Sequence, residues 1–259
     1  KEIEVDESNF LVSYTKIDNY YFVFFYDITI LKQNEDMKRK YVDAISHELK
    51  TPLTNILLYS EKLLDEPDEK IKNDIEKIYK NGEALKKLIN DILQLSKLDT
   101  PNLKLNMVEI PLRSLFIEIM KELTLLIDQN NVDLEINIKN ERIFGDKDLI
   151  YKAFRNLVEN GVKYNVSGGV VIIDVKQSED MIEIKISDTG SGISENDLKY
   201  IFERFYRADK SRTKGGFKDG TGLGLSIVKN VIHLHKGVIH VDSKINEGTT
   251  FTIKLPLIK

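Results

Sequence analysis

The sequence predicts a multidomain chain: an antiparallel helical hairpin forming a dimeric four-helix bundle, followed by an α+β sandwich. Three observations lead there. Ile71, Ile75, Ile78, Gly82, Leu85, Ile89, Ile92 and Ser96 recur at alternating spacings of four and three, which is a heptad seam. After Pro101 the pattern changes to short alternating strands between amphipathic helices. Ahead of both lies a short stretch rich in aromatic and β-branched residues. The expected divisions are 1–32 as a β segment from the tail of an upstream domain, 33–100 as the hairpin, and 101–259 as the sandwich.

In the first segment Phe10-Leu11-Val12 and the run Tyr20–Tyr26 flank Asp18-Asn19, a turn-forming pair. Two or three strands bury too little to stand alone. In the hairpin, Met37, Tyr41, Ile45, Leu49 and Leu53 recur at i+4, and Asp65-Glu66-Pro67-Asp68 separates this helix from the second. Each helix is about 45 Å long at 1.5 Å per residue. A lone pair would leave much of its stripe wet, and two pairs would cover it. Beyond Pro101, Leu112, Leu115, Phe116, Ile119, Met120 and Leu123 line one side of a helix, and Val132–Ile138 alternates as a strand. Asp146 is placed to N-cap a helix that runs to about Tyr164. Strands are expected at Val170–Lys176 and Met181–Ser187, with a capping-box start at Ser194 and Asp197. A helix from about Gly222 to Lys236 and strands at Val238–Asp242 and Thr249–Leu255 complete a sheet with its helices on one face.

Composition excludes several classes. The 259 residues carry a net charge of −4, which argues against nucleic acid as a partner. There is no cysteine, hence no disulfide and no thiolate metal site. The longest apolar run, Tyr20–Tyr26, is far short of the ~20 residues of a membrane span. The chain opens on Lys1 without a signal-peptide layout and reads as a fragment of something longer, with no membrane contact of its own.

Four features carry chemistry. Gly220-Thr221-Gly222-Leu223-Gly224-Leu225 leads straight into a helix, whose bare N–H groups and dipole favour a phosphate. Asp188-Thr189-Gly190-Ser191-Gly192-Ile193 follows a strand, and its carboxylate can accept a hydrogen bond from a base amine. Asn156, Asn160 and Lys163 share one helical stripe, where a carbonyl oxygen suits Mg²⁺ and an ammonium suits phosphate. In Ser46-His47-Glu48-Leu49-Lys50-Thr51-Pro52, His47 lies beside the apolar stripe. Its neutral imidazole is a competent phosphoryl acceptor, Glu48 can hold the other ring proton, and Pro52 should bend the helix just after them. Taken singly, each is compatible with an ordinary turn or a solvated helix face.

Together these residues resemble the sensor histidine kinases of two-component signalling. His47-Glu48-Leu49-Lys50-Thr51-Pro52 resembles the phosphoacceptor box and Asn156–Tyr164 the N box. Asp188–Gly192 resembles the first glycine box, Phe202–Arg207 the F box, Gly220–Leu225 the second glycine box, and Gly248-Thr249-Thr250-Phe251 the last. The likeness runs from about Met37 to Pro256, with the boxes in the family's order. It implies a sandwich of the GHKL ATP-binding type, with ATP and Mg²⁺ as cofactors.

By that resemblance His47 is phosphorylated, Glu48 acts as base, and Thr51 helps place water for dephosphorylating a partner. Asn160 holds Mg²⁺. Asn156, Lys163, Tyr164 and Arg207 lie near the phosphates, and Asp188 reads the adenine amine. Gly190, Gly192, Ile193, Phe202, Gly220, Thr221, Gly222, Leu223, Gly224, Leu225 and Thr250 complete the nucleotide site, with a lid at about 208–219. The implied partners are a second copy, through the hairpin, and a response-regulator receiver domain. The implied location is the cytoplasmic side of a bacterial membrane protein. Two departures stand out: Gly161 where Ala is common, and Asp219, a negative charge, where Gly is common. The remaining histidines, His233, His235 and His240, are expected on the surface without a role.

Two other readings remain. A degenerate member would act as a non-enzymatic dimeric scaffold. A hydrolysing GHKL ATPase would carry Glu four residues before the Mg²⁺-binding Asn, where this chain has Asn156.

Overall fold

The computed structural model describes residues 2–6, 8–17, 20–32, 50, 53–54, 56–57, 60–61, 69–100, 103–204, 206–208 and 221–257. His47, Glu48, Thr51, Pro52 and Gly220 lie outside the described residues, as does most of the expected lid. The chain divides into two compact units, Lys1–Ser96 and Lys97–Lys259.

In the first unit, β1 (Glu2–Val5), β2 (Ser8–Ile17) and β3 (Tyr20–Asp27) form an antiparallel sheet in that order. Thr29 closes it: its hydroxyl accepts the Asn9 N–H at 2.8 Å, and its own N–H donates to Asp27 Oδ1 at 2.9 Å. Aromatic side chains stand on both faces of β3, and every residue of the strand is exposed. The long helix α1 (Glu69–Leu98) covers the predicted seam. Ile75, Gly82 and Ile89, seven apart, are buried, whereas Ile78 and Leu85 are 49% and 42% exposed. Gly82 has a steric reason. A Cβ there would stand 2.4 Å from Leu57 Cδ2, so any larger residue would push the Leu57 side chain of the preceding helical stretch aside. Leu57 and Leu53 are buried in turn.

The second unit is built on a five-stranded sheet, ordered β5 (Asp133–Asn137), β7 (Val170–Gln177), β8 (Met181–Asp188), β10 (Gly248–Pro256) and β9 (Val238–Lys244). β5 and β7 are parallel, and the other pairs are antiparallel. One face is apolar, through Val171, Ile173, Ile182, Ile184, Ile186, Phe251, Ile253 and Leu255, all buried. Three amphipathic helices supply the other half of the core: α2 (Leu112–Glu122), α4 (Lys147–Lys163) and α6 (Gly224–Leu234). Phe116 of α2 stacks on Phe154 of α4, ring centres 5.1 Å apart. The short α3 (Thr124–Asn130) and α5 (Glu195–Leu198) complete the unit.

A two-stranded ribbon, β4 (Met107–Pro111) with β6 (Arg142–Asp146), was not expected from the sequence. It is short and half-wet, with Val108 and Phe144 exposed, so its alternation is weak. At its end Asp146 caps α4, accepting the Leu149 N–H at 3.2 Å as expected. His235 corrects the expectation for the histidines, because it is only 5% exposed. Its Nδ1 lies 2.7 Å from the Val231 carbonyl, and its Nε2 accepts the Asp146 N–H at 2.9 Å. The ring therefore carries its proton on Nδ1 and ties the C-terminus of α6 to the start of α4. His233 and His240 are exposed, as expected.

Candidate functional site

The site is built around α4. Asp188 ends β8 and pairs in register with Thr249 of β10. Its Oδ1 accepts the Gly190 N–H at 2.9 Å and the Thr249 N–H at 3.2 Å. Both bonds use one oxygen, which leaves Oδ2 for a donor. Burial pushes the carboxyl above its ordinary value, and the two N–H groups pull it partly back.

Glycines let α4 and the turn after β8 approach this carboxylate. A Cβ on Gly161 would stand 3.6 Å from the Asp188 Cβ and 3.2 Å from Val171 Cγ2. The place of the commoner Ala is thus one where Val171 would have to give slightly. A Cβ on Gly190 would meet the Tyr164 carbonyl at 2.4 Å, and that carbonyl accepts the Ser191 N–H at 3.0 Å. Gly192 adopts φ +69 and faces the Lys244 carbonyl, a position closed to other residues. Ile193 is fixed by donating its N–H to Ser243 Oγ at 2.8 Å, and Ser243 donates onward to the Gly248 carbonyl at 2.9 Å.

The second glycine element meets α4 nearer its middle. A Cβ on Gly224 would stand 3.3 Å from Asn156 Oδ1. The N-terminus of α6 therefore abuts Asn156, and no side chain caps it. Ahead of it the Thr221 hydroxyl accepts the Leu223 N–H at 3.3 Å, Gly222 turns at φ +70, Leu223 is fully buried and Leu225 half-buried. Five residues separate Asn156 from Gly161, so the two glycine elements meet α4 about 7–8 Å apart along its axis. Asn160 lies between them. The arrangement offers a base acceptor at one end, free helix N–H groups at the other, and amide oxygens between.

Thr250 is one residue out of register. Strand alternation turns it to the opposite face, where its hydroxyl donates to Ser187 Oγ at 2.9 Å, and Thr249 stands beside Asp188 instead. Phe202 packs edge-on against Phe251 at 6.4 Å, with Lys229 Nζ 5.8 Å from its ring centre. Tyr164, the C-cap of α4, is exposed, and Arg207 is half-buried. Lys163 Nζ lies 2.6 Å from Glu159 Oε1. Sequence reasoning missed Ser243, Thr189 and Asn165. The Thr189 hydroxyl accepts the Val170 N–H at 2.9 Å and donates to Asn165 Oδ1 at 3.1 Å, which holds the turn to the end of α4. Polar residues flanking the glycine box were the available signal. Among the described residues no cluster of three or more His, Cys, Asp or Glu could hold a metal ion by itself. A metal here would rely on an amide oxygen together with the ligand's own oxygens.

Residues 37–101 match the His Kinase A (phospho-acceptor) domain. Residues 145–259 match the histidine kinase-, DNA gyrase B- and HSP90-like ATPase family. The sensor protein SrrB of Staphylococcus aureus (strain N315) is 35% identical over 237 residues, 89% of this chain. The chain spans 40% of that relative's length. Among solved structures, Acinetobacter baumannii histidine kinase AdeS superposes with TM-score 0.60 at 25% identity, over 82% of this chain and 98% of that one. Full-length ShkA in complex with AMPPNP shares the fold, with TM-score 0.69 at 21% identity over 84% of this chain and 45% of that one. With a phospho-acceptor domain followed in series by an ATPase domain, and with this sequence kinship, the chain belongs to the sensor histidine kinases.

Proposed function

We propose that the chain binds Mg·ATP at the α4 site, transfers the γ-phosphoryl group to His47, and passes it to an aspartate of a response-regulator receiver domain. The observation that carries this is Asp188. Its carboxylate is held by two backbone N–H groups on one oxygen, at the strand end against Gly161 of α4, the helix that carries Asn156 and Asn160 and meets the uncapped α6 at Gly224. Its Oδ2 would accept the adenine amine, and the α6 N–H groups would face the phosphates. Thr249, rather than Thr250, would line the base pocket. Mg²⁺ would be held by the Asn160 amide oxygen together with phosphate oxygens, and it would supply charge neutralisation.

In the transfer a His47 ring nitrogen attacks the γ-phosphorus, the bond to the β-phosphate oxygen breaks, and ADP leaves. Glu48 would hold the proton on the other ring nitrogen. Hydrolysis is disfavoured, because Asn156 offers no base for water. The nearby Glu159 has one oxygen on Arg155 at 2.7 Å and the other on Lys163 at 2.6 Å. Thr51 would serve a separate phosphatase activity, orienting a water that hydrolyses the receiver's phospho-aspartate to release inorganic phosphate.

The half-covered α1 seam fits a second hairpin packed across Ile78 and Leu85, and hence a homodimer. A strand β3 with large apolar side chains on both faces fits the tail of a larger upstream PAS-like sensor domain, residues 1–32. The fragment would then lie on the cytoplasmic side of a membrane protein. No helix among the described residues is long and apolar enough to cross a bilayer.

The test is incubation with ATP labelled at the γ-phosphate. Acid-labile, base-stable label is expected on the parent and none on His47→Gln. Label on His47→Gln would overturn the assignment. A parent that takes up no label would favour the scaffold reading.

A further inference from the structure

Lys163 belongs to two rows of α4 at once. It is i+7 from Asn156, on the stripe proposed to meet the phosphates. It is also i+4 from Glu159, which is itself i+4 from Arg155. The second row is a ladder of alternating charge. At its far end Glu122 of α2 accepts hydrogen bonds from Arg155 Nε at 2.6 Å and from the Tyr151 hydroxyl. Arg155 then donates to Glu159 Oε2 at 2.7 Å, and Glu159 Oε1 holds Lys163 at 2.6 Å.

Burial makes this ladder more than a surface ornament. The Glu159 side chain is 8% exposed, against 30% for Arg155 and 22% for Lys163. A carboxylate so covered must keep cationic partners. Arg155 is shared: burial works against its charge, but Glu122 and Glu159 together raise its pKa. Because Glu122 draws on the same guanidinium, Glu159 is left pulling on Lys163. An anion reaching the Asn156–Asn160 stripe must share the ammonium with that carboxylate.

We infer that Glu159 is a positioning residue that sets how firmly Lys163 holds nucleotide phosphate, with Arg155 setting how strongly Glu159 pulls. The inference rests on the proposed reading of Lys163 as a phosphate ligand. The two substitutions at the ends of the pull then have opposite signs. Glu159→Gln keeps the side-chain volume and an acceptor oxygen but removes the competing charge, so phosphate is held more firmly. Arg155→Gln removes the opposing cation, so Glu159 pulls harder and phosphate is held less firmly. Adenosine, which has no phosphate, is indifferent to both. Damage to packing alone would weaken ADP and adenosine together, in both variants.

The experiment is titration calorimetry of the full chain with Mg·ADP and, separately, with adenosine. Glu159→Gln is expected to tighten ADP by roughly three- to tenfold and Arg155→Gln to weaken it by a similar factor, adenosine being unchanged. Lys163→Met is the control, expected to weaken ADP and to abolish the effect of Glu159→Gln in the double variant. If Lys163→Met weakens ADP but Glu159→Gln leaves it unchanged or weaker, the inference is overturned and the phosphate reading stands. If Lys163→Met leaves ADP affinity at the parent value, the phosphate reading falls and the inference with it. Should Glu159→Gln not fold, Glu159→Asp draws the charge back by one methylene and is expected to act in the same direction at smaller size; unchanged or weaker ADP binding there overturns the inference.

Discussion

β3 and β8 are each eight residues long and rich in large apolar side chains, yet every residue of β3 is exposed while β8 buries Ile182, Ile184 and Ile186. The long helices differ in the same way. α4 hides Ile150, Ala153, Phe154, Leu157, Val158 and Val162 almost completely, whereas α1 buries Ile75, Gly82 and Ile89 but leaves Ile78 and Leu85 wet. The unit from Lys97 onward finds both halves of its core within one chain: a sheet face and three helix stripes. Among the described residues, the unit before it presents apolar side chains that remain exposed. This teaches that the part of the chain matching the ATPase family carries a self-sufficient core, while the described residues before it leave large apolar side chains wet.

The contrast would break most visibly at the aromatic residues. Phe154→Ala empties a fully buried site against Phe116 and should cost about 3–5 kcal/mol of unfolding free energy. Phe24→Ala, at a side chain 46% exposed, should cost under about 1 kcal/mol in the same chain. Denaturant melts followed by circular dichroism would compare them, and similar losses would mean β3 is covered in solution.

Asp188 sharpens the comparison by separating binding from stability within the second unit. Its carboxyl titrates above its ordinary value of 3.8 in the folded chain. The folded state thus binds the proton more tightly than the unfolded one. Stability falls as pH rises from 3.8 to the raised value, and the ionised form carries that cost at neutral pH. Asp188→Asn keeps an Oδ1 acceptor for Gly190 and Thr249. It should therefore hold or raise the melting temperature at pH 7 and flatten its acid dependence. Adenine affinity should fall by about 2–3 kcal/mol, because an amide donor would face the base amine. A lowered melting temperature would show that burial is not the dominant influence on this group.

Next in size is the seam. Leu85→Ala should weaken dimerisation by about 1–2 kcal/mol, read by sedimentation equilibrium, and leave ADP binding unchanged. Leu157→Ala should do the reverse, destabilising the nucleotide unit without altering the monomer–dimer balance. The smallest effect is expected at Arg204, whose Nη2 donates to both oxygens of Asp99, each at 2.8 Å, just beyond the end of α1. Both groups are about half exposed. Arg204→Ala should cost about 0.2–1 kcal/mol, a loss that vanishes at high salt.

Much of the fold was legible because it repeats at short range. The heptad seam, the alternation of β7, β8 and β10, and the Asp146 cap each depend on residues within one or two turns. The stripe of Asn156, Asn160 and Lys163 was legible for the same reason, since a helix period alone puts them together. The misplacement of Thr250 shows the limit. Its neighbour Thr249 differs by nothing that composition or motif records, and only the register with β8 says which of the two faces Asp188.

The sequence by itself determined the order of units, the periodicity of their helices and strands, and the residue types able to meet a nucleotide, because these follow from local sterics and hydrophobic spacing. Tertiary structure alone decided the partnerships that span the chain. Ile193 is held by Ser243, 50 residues away, and Asp146 donates to a buried His235, 89 residues away. Glu122 reaches Arg155 across two helices, and through it the charge ladder ends at Lys163. The reason is physical. A hydrogen bond or ion pair between distant residues exists only once packing has fixed both backbones, and no spacing along the chain records which of many polar groups will be brought together.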